Sequence, residues 1–107
     1  MAKYLVLYRG DITPPPEMPE HEHDAMMVRW GAWLEEHGAH VDDPGFPFAA
    51  RTAIDGDGNE QEAVNLSGYS MVEGESIESV REICRDHPFL HDAGPAHTVE
   101  IYELLPI

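Results

Sequence analysis

The order of apolar and polar residues predicts four extended segments separated by helices and turns. The first, KYLVLY at residues 3–8, is continuously apolar after its lysine, which is typical of a central strand covered on both faces. Residues 63–74 alternate, with Tyr69 facing one side and Ser70 the other. The other two strands are expected at residues 48–54 and 98–105, with turns at residues 55–60 (DGDGNE) and 94–97 (GPAH).

Two helices are predicted between these strands. Apolar side chains recur at helical spacing over residues 19–37, after a proline-rich connector and a start rich in carboxylates. The second helix is predicted to begin after Ser76, a good N-terminal cap, and to be ended by Pro88. The order β-α-β-β-α-β predicts an α+β, ferredoxin-like fold, with two helices on one face of a four-stranded antiparallel sheet.

Length and charge narrow the class of protein. The chain of 107 residues is long enough for one domain with one modest core. Its 21 acidic and 6 basic residues give a formal net charge of −15. Such a chain repels phosphates and anionic lipids, so neither a nucleic acid nor a membrane is an expected partner. With a single cysteine, Cys84, and no apolar run long enough for a leader or a membrane span, the sequence predicts a soluble, cytoplasmic protein.

Four stretches carry a resemblance to a known family. They are KYLVLYRG at the start, GYSMVEGESIESV from strand to helix, DHPFL at the end of the second helix, and HTVEIYELLPI at the close. With the tryptophan-bearing first helix between them, they cover nearly the whole chain. In this order and spacing the chain resembles the YCII-related (YciI-like, DGPF) domain family.

The resemblance implies a ferredoxin-like domain that pairs into a dimeric α+β barrel, with a small pocket in each subunit. Some relatives resemble isomerases or lyases that act on small aromatic or lactone compounds through a histidine–aspartate pair. Their histidine lies in the middle of the first helix, where this chain has Trp30 or a neighbour. His21 and His23 come earlier, near the first turn, so the pair is not inherited position by position.

His87 is the candidate for a proton-transferring group in such a pocket. Imidazole titrates near neutral pH, and the carbonyl dipoles at the end of the second helix are expected to favour its protonated form. The predicted companions are Trp30 as an aromatic wall, with Ser70 and Tyr8 as polar groups on neighbouring strands. Two alternatives remain open: His87 only caps the end of the helix, or Asp24 with His21 or His23 carries the chemistry.

Three other motifs are expected to be structural. HEHD at residues 21–24 offers an incomplete metal-ligand set, and DGDGNE lacks the glycine and glutamate of a calcium loop. Cys84 shares an apolar helix face and lies at a helix end that disfavours a thiolate. No metal and no other cofactor are therefore expected.

The first and last strands leave an apolar face that the two helices cannot cover. A soluble monomer seldom exposes such a patch, so a homodimer formed through the sheets is expected, and it should tighten as salt screens the repulsion between like charges. The sequence is thus compatible with two functions: a cofactor-free isomerase or lyase, and a dimeric module that binds a ligand or a partner without catalysis.

Overall fold

The computed structural model describes residues 1–12, 15–93 and 96–106. The predicted connector at Thr13 and Pro14 and the predicted turn at Gly94 and Pro95 lie outside these residues. The strands are β1 (Ala2–Arg9), β2 (Val41–Asp43), β3 (Ala53–Ile54), β4 (Glu60–Gln61), β5 (Leu66–Gly74) and β6 (Thr98–Glu103). The helices are α1 (Glu20–His37), α2 (Ile77–Cys84) and α3 (Pro88–Ala93).

Four of the strands form an antiparallel sheet in the order β2-β5-β1-β6, so the fold is α+β. The predicted central position of residues 3–8 is confirmed, since β1 lies between β5 and β6. Its register places Val6 opposite Ser70 and Tyr8 opposite Gly68. In the part of the chain that the structure describes, no helix combines the length and the apolar character that a membrane span requires.

One face of the sheet, called the covered face, carries Tyr4, Val6, Tyr8, Ser70 and Val72. These side chains are almost fully buried, with exposures between 0 and 4%. Val80 and Cys84 of α2, Phe89 of α3 and Trp30 of α1 pack against this face and complete the core. All three helices therefore contribute to the same side of the sheet.

The opposite face, called the open face, carries the residues that alternate along the strands with those of the covered face. Its apolar members are half-buried or exposed in the single chain, and its charged members lie around them. The strand register places on this face Lys3, Leu5, Leu7, Arg9, Tyr69, Met71, Glu73, Thr98, Glu100 and Tyr102. The expectation that residues 3–8 are covered on both faces therefore does not hold within one protomer.

The predicted strand at residues 48–54 is wrong. Residues 41–43 pair with β5 instead, and only Ala53 and Ile54 are extended, in a two-stranded hairpin with β4. The apolar residues that suggested the strand come after Pro44 and Pro47. This part of the chain pairs with β5 at one isolated bridge, from Pro47 to Gly68. The predicted DGDGNE turn is confirmed, because Asp55 accepts hydrogen bonds from the amides of Asp57 and Asn59 at the tip of this hairpin.

The second helix begins as predicted and ends earlier. Ser76 caps it in a reciprocal arrangement with Ser79. The helix ends at Cys84, and Pro88 is the first residue of α3 rather than the residue that stops α2. Proline suits the first position of a helix because its missing N–H would have no partner there. The element order predicted from the sequence was therefore incomplete: it lacked α3 and the β3–β4 hairpin.

Candidate functional site

A cavity of about 580 Å³ lies between α1, the end of β1, the segment 44–47 and α3. Its lining is mostly apolar, and its size falls in the range of small-molecule sites. Met26, Trp30 and Leu34 contribute from one face of α1, at the helical spacing noted in the sequence. The remaining lining residues are Asp11, Ile12, Met18, His23, Met27, Pro44, Gly45, Phe46, Pro47, Ser67, Phe89 and His97.

The segment 44–47 forms one lip of the cavity and lies tightly against β5. Gly45 has φ of +75°, and a Cβ atom there would stand 1.8 Å from the carbonyl oxygen of Tyr69. The amide of Gly45 donates to Asp43 Oδ1 over 2.9 Å. A Cβ at Gly68 would lie 3.0 Å from the carbonyl oxygen of Phe46, in keeping with the close backbone approach that a glycine inside this strand suggests. Phe46 itself is 72% exposed at the lip.

The four residues predicted to form a site lie together under α1. The Tyr8 hydroxyl is 2.7 Å from Ser70 Oγ and 3.1 Å from His87 Nε2. The ring of Trp30 meets the rings of His87 and Tyr8 edge-on, with centroids 4.5 and 5.6 Å apart. Trp30 lines the cavity, whereas the other three are buried beneath it. Their part in binding or catalysis stays a prediction.

The hydrogen bonds of this group run in one direction. Ser70 donates its hydroxyl proton to the carbonyl oxygen of Pro44 over 2.7 Å, so its oxygen is left to accept from Tyr8. The Tyr8 oxygen then accepts from Nε2–H of His87, whose Nδ1 accepts the amide proton of Phe89 over 3.1 Å. A neutral His87 with its proton on Nε2 satisfies every bond of the chain that leads to the cavity lip.

Burial determines the protonation of His87. Desolvation lowers the pKa of this histidine to about 4, more than Asp86 beside it raises it. The expectation that helix dipoles would favour the imidazolium was wrong, because the helix has already ended and His87 precedes the start of α3. His87 is therefore neutral at neutral pH, and its ring caps an amide of α3, while its backbone amide donates to the carbonyl oxygen of Cys84 at the end of α2.

Two other groups buried near His87 are also uncharged. Desolvation raises the pKa of Tyr8, so its hydroxyl is a hydrogen-bond donor and not a phenolate. Burial, assisted by Asp86, raises the pKa of Cys84 to about 11, so its thiol stays protonated. This agrees with the expectation that Cys84 is a core residue and not a nucleophile.

His97 was missed by the sequence analysis, although it lines the cavity. Its ring stacks on Phe89 with centroids 4.0 Å apart. Nδ1 lies 2.7 Å from the carbonyl oxygen of Phe89, and Nε2 lies 2.8 Å from that of Asp11. The ring thereby lies between α3 and the segment that follows β1. Nothing local in the sequence indicated this position, because both neighbours are backbone carbonyl oxygens, 8 and 86 residues away in the chain.

The histidines of the HEHD stretch are not brought into a shared site. His23 lines the cavity, and its Nδ1 lies 3.9 Å from Asp24 Oδ1. Among the described residues, no third ligand joins this pair or His21 closely enough to complete a metal site.

Comparison with known proteins gives a likeness in fold. No family model matches the chain, and no curated protein matches it in sequence. Among solved structures it is similar to 5-chloro-2-hydroxyhydroquinone dehydrochlorinase (TftG) from Burkholderia phenoliruptrix, solved in complex with 2,5-dihydroxybenzoquinone. The two share 19% sequence identity with a TM-score of 0.52, over 92% of this chain and 90% of the other.

Proposed function

We propose that the protein binds a small, largely apolar molecule with an aromatic or lactone ring in the cavity under α1. The observation that carries the proposal is the cavity itself, with its apolar walls and Trp30 among them for ring contacts. A few polar groups at its margin, among them Asp11, His23 and Ser67, are available to orient such a molecule. The likeness in fold to an enzyme solved with a bound quinone supports the same class of ligand.

The test uses the neighbour's ligand as a probe. Isothermal titration with 2,5-dihydroxybenzoquinone, and with benzoate as a second ring compound, should give saturable binding to one site per chain. Phe46→Ala removes an aromatic ring from the cavity lip and should weaken binding about tenfold, within the range of aromatic contacts. Phe48→Ala is the matched control, because this ring stacks on Tyr69 outside the cavity. The absence of binding by both probes, or an equal loss in both variants, contradicts the proposal.

We further propose that any chemistry on the bound molecule uses His87 as its proton-transferring group, with Tyr8 and Ser70 as its polar companions. The hydrogen-bonded chain from His87 ends at the Pro44 carbonyl, which borders the cavity but cannot relay a proton, so transfer requires the Ser70 hydroxyl to turn from Pro44 to an oxygen of the bound molecule. His23 is the competing group, because it reaches the cavity directly. Chromatography of the probe after incubation with the protein shows whether it is converted. Conversion distinguishes an enzyme from a non-catalytic binding module. His87→Gln should abolish turnover while His23→Gln preserves it, and the reverse outcome assigns the role to His23.

A homodimer formed through the open faces is part of the proposal. On β1, β5 and β6 of this face Lys3 and Arg9 balance Glu73 and Glu100, and the edge strand β2 adds Asp42 beside Lys3, so the face carries far less charge than the −15 of the chain. An apolar, weakly charged surface is where two such acidic chains can approach, and a second copy presents the same surface. Light scattering at micromolar concentration should give twice the mass of the chain, with the dimer strengthened by moderate salt. A monomeric mass under these conditions contradicts it.

These features together support assignment to the YCII-related domain family. The sheet order β2-β5-β1-β6, with α1 and α2 inserted between its strands, is compatible with the ferredoxin-like topology and the dimeric barrel expected there. Cys84 is buried and has no disulfide partner, which suits the cytoplasmic location proposed for the protein.

A further inference from the structure

A second cluster of polar groups lies at the other end of α1, away from the residues that line the cavity. His37 is in the last turn of α1, with Glu36 before it, and Asp86 lies in the turn between α2 and α3. His37 Nε2 is 3.4 Å from Asp86 Oδ1 and 3.9 Å from Glu36 Oε1. One imidazole and two carboxylates from separate elements thus converge on one point.

The three ligand atoms are not committed to other partners. His37 Nε2 is buried and makes no hydrogen bond, although Asp86 Oδ1 lies 3.4 Å away. Neither Glu36 nor Asp86 forms an ion pair with a lysine or arginine of the described residues. A buried nitrogen without a partner costs free energy, unless something fills the space between it and the two carboxylates.

The distances fit a metal ion in that space. Two ligand atoms that each bind a tetrahedral ion at about 2.0–2.1 Å are about 3.3–3.4 Å from one another. The lone pair of each atom then points at the ion and not at the other ligand atom. The separation of His37 and Asp86 matches this value, whereas the exposed side chain of Glu36, 3.9 Å from His37 and within 4.8 Å of the Asp86 oxygen, has to move inward. No other described group of at least three such side chains is close enough for a shared ion.

The cluster is held in place before any ion arrives. The ring of Trp33 packs against His37 with centroids 5.2 Å apart. Its Nε1 donates to the carbonyl oxygen of Ile83 over 3.2 Å, which fixes α1 against the helix that leads to Asp86. The spacing between α1 and the turn that carries Asp86 is therefore set by the buried Trp33 side chain and not by the exposed carboxylates.

We propose that Glu36, His37 and Asp86 bind a divalent transition-metal ion such as Zn²⁺. Imidazole with carboxylates is a ligand set that suits such ions, and the formal charge of −15 favours a cation. The exposed sides of Glu36 and Asp86 leave the fourth position to water. A bound ion would join the end of α1 to the turn before α3.

The test is titration of Zn²⁺ into protein freed of metal with EDTA, followed by isothermal calorimetry near neutral pH. One site of micromolar affinity or better is expected. Glu36→Gln and Asp86→Asn remove a ligand each with little change in size, and each should weaken binding at least tenfold. Glu35→Gln is the matched control, since it removes the same charge one residue away. Asp24→Asn tests the HEHD stretch, and both controls should bind within twofold of the parent.

Thermal unfolding gives a second readout. Excess Zn²⁺ should raise the melting temperature of the parent and of Glu35→Gln, and raise that of Asp86→Asn clearly less at the same concentration. Without saturable binding by the parent, His37 and Asp86 form only an ion pair and the proposal fails. It also fails if Glu35→Gln weakens binding as much as Glu36→Gln, or if Asp24→Asn abolishes it.

Discussion

The two faces of the sheet use alternate residues of the same strands, yet they differ in almost every physical property. On the covered face, the tyrosines Tyr4 and Tyr8 are buried and a hydrogen-bonded chain is fully satisfied. On the open face, Tyr102 is 50% exposed, and its hydroxyl donates to the half-buried carboxylate of Glu100. The difference arises because α1, α2 and α3 all pack on one side of the sheet. The sequence of a strand alone therefore does not determine which of its residues are buried.

The same contrast explains where chemistry and assembly are expected. Polar groups on the covered face are removed from water, so each must find a partner and its pKa moves away from its usual value. Polar groups on the open face remain hydrated, and their ion pairs contribute little to stability. The covered face therefore supports the cavity through the chain that ends at Pro44, and the open face is free to meet a second copy.

The largest expected effect is acid destabilisation through His87 on the covered face. Its folded pKa of about 4 lies below the usual 6.5, so the unfolded chain binds more protons between these values. The contribution of His87 to the free energy of unfolding is therefore fully present above pH 6.5. It is lost as the pH falls toward 4, and the loss amounts to about 3 kcal/mol in all.

This pH dependence can be isolated with one variant. The free energy of unfolding of the parent and of His87→Gln is measured with urea, both in EDTA. The parent's value minus the variant's should fall by that amount between pH 6.5 and 4. A difference that does not change with pH contradicts the buried, neutral state of His87.

A smaller effect is expected from removing one hydroxyl on each face. Tyr8→Phe leaves Nε2–H of His87 and the oxygen of Ser70 buried without their partner, which should cost about 2 kcal/mol. Tyr102→Phe removes an exposed hydroxyl, and the midpoint of urea unfolding should not move measurably. Equal effects of the two substitutions would mean that the two faces do not differ as described.

Local signals predicted much of the fold. The alternation along β5, the apolar run of β1 and the Ser76 cap were sufficient, because each depends on residues next to one another in the chain. Residues 41–43 carry two acids and no apolar alternation, so nothing local indicated that they form an edge strand. Their pairing depends on β5, more than twenty residues later.

The proximity of the four candidate residues was predicted for a similar reason. The sequence brought His87, Tyr8, Ser70 and Trp30 together because the expected topology places their elements side by side. It gave the wrong protonation for His87, since burial by the rings of Trp30 and Trp33 is a property of the packed helices. The cluster at His37 was not found, because its third ligand comes from a turn that the sequence assigned to the second helix.

The smallest effect on protomer stability is expected at Leu7, and this substitution tests the open face most directly. Leu7 is half-buried in the single chain, so Leu7→Gln should lower the free energy of unfolding of a protomer by less than about 1 kcal/mol. In a dimer formed through the open faces the same side chain lies in the interface, where an amide without a partner is unfavourable. Light scattering should therefore give half the parent's mass at equal concentration. Val28→Gln is the control, because this valine is 72% exposed on α1, away from the sheet, and its variant should keep the parent's mass. If Leu7→Gln keeps that mass too, the open face is not the dimer interface.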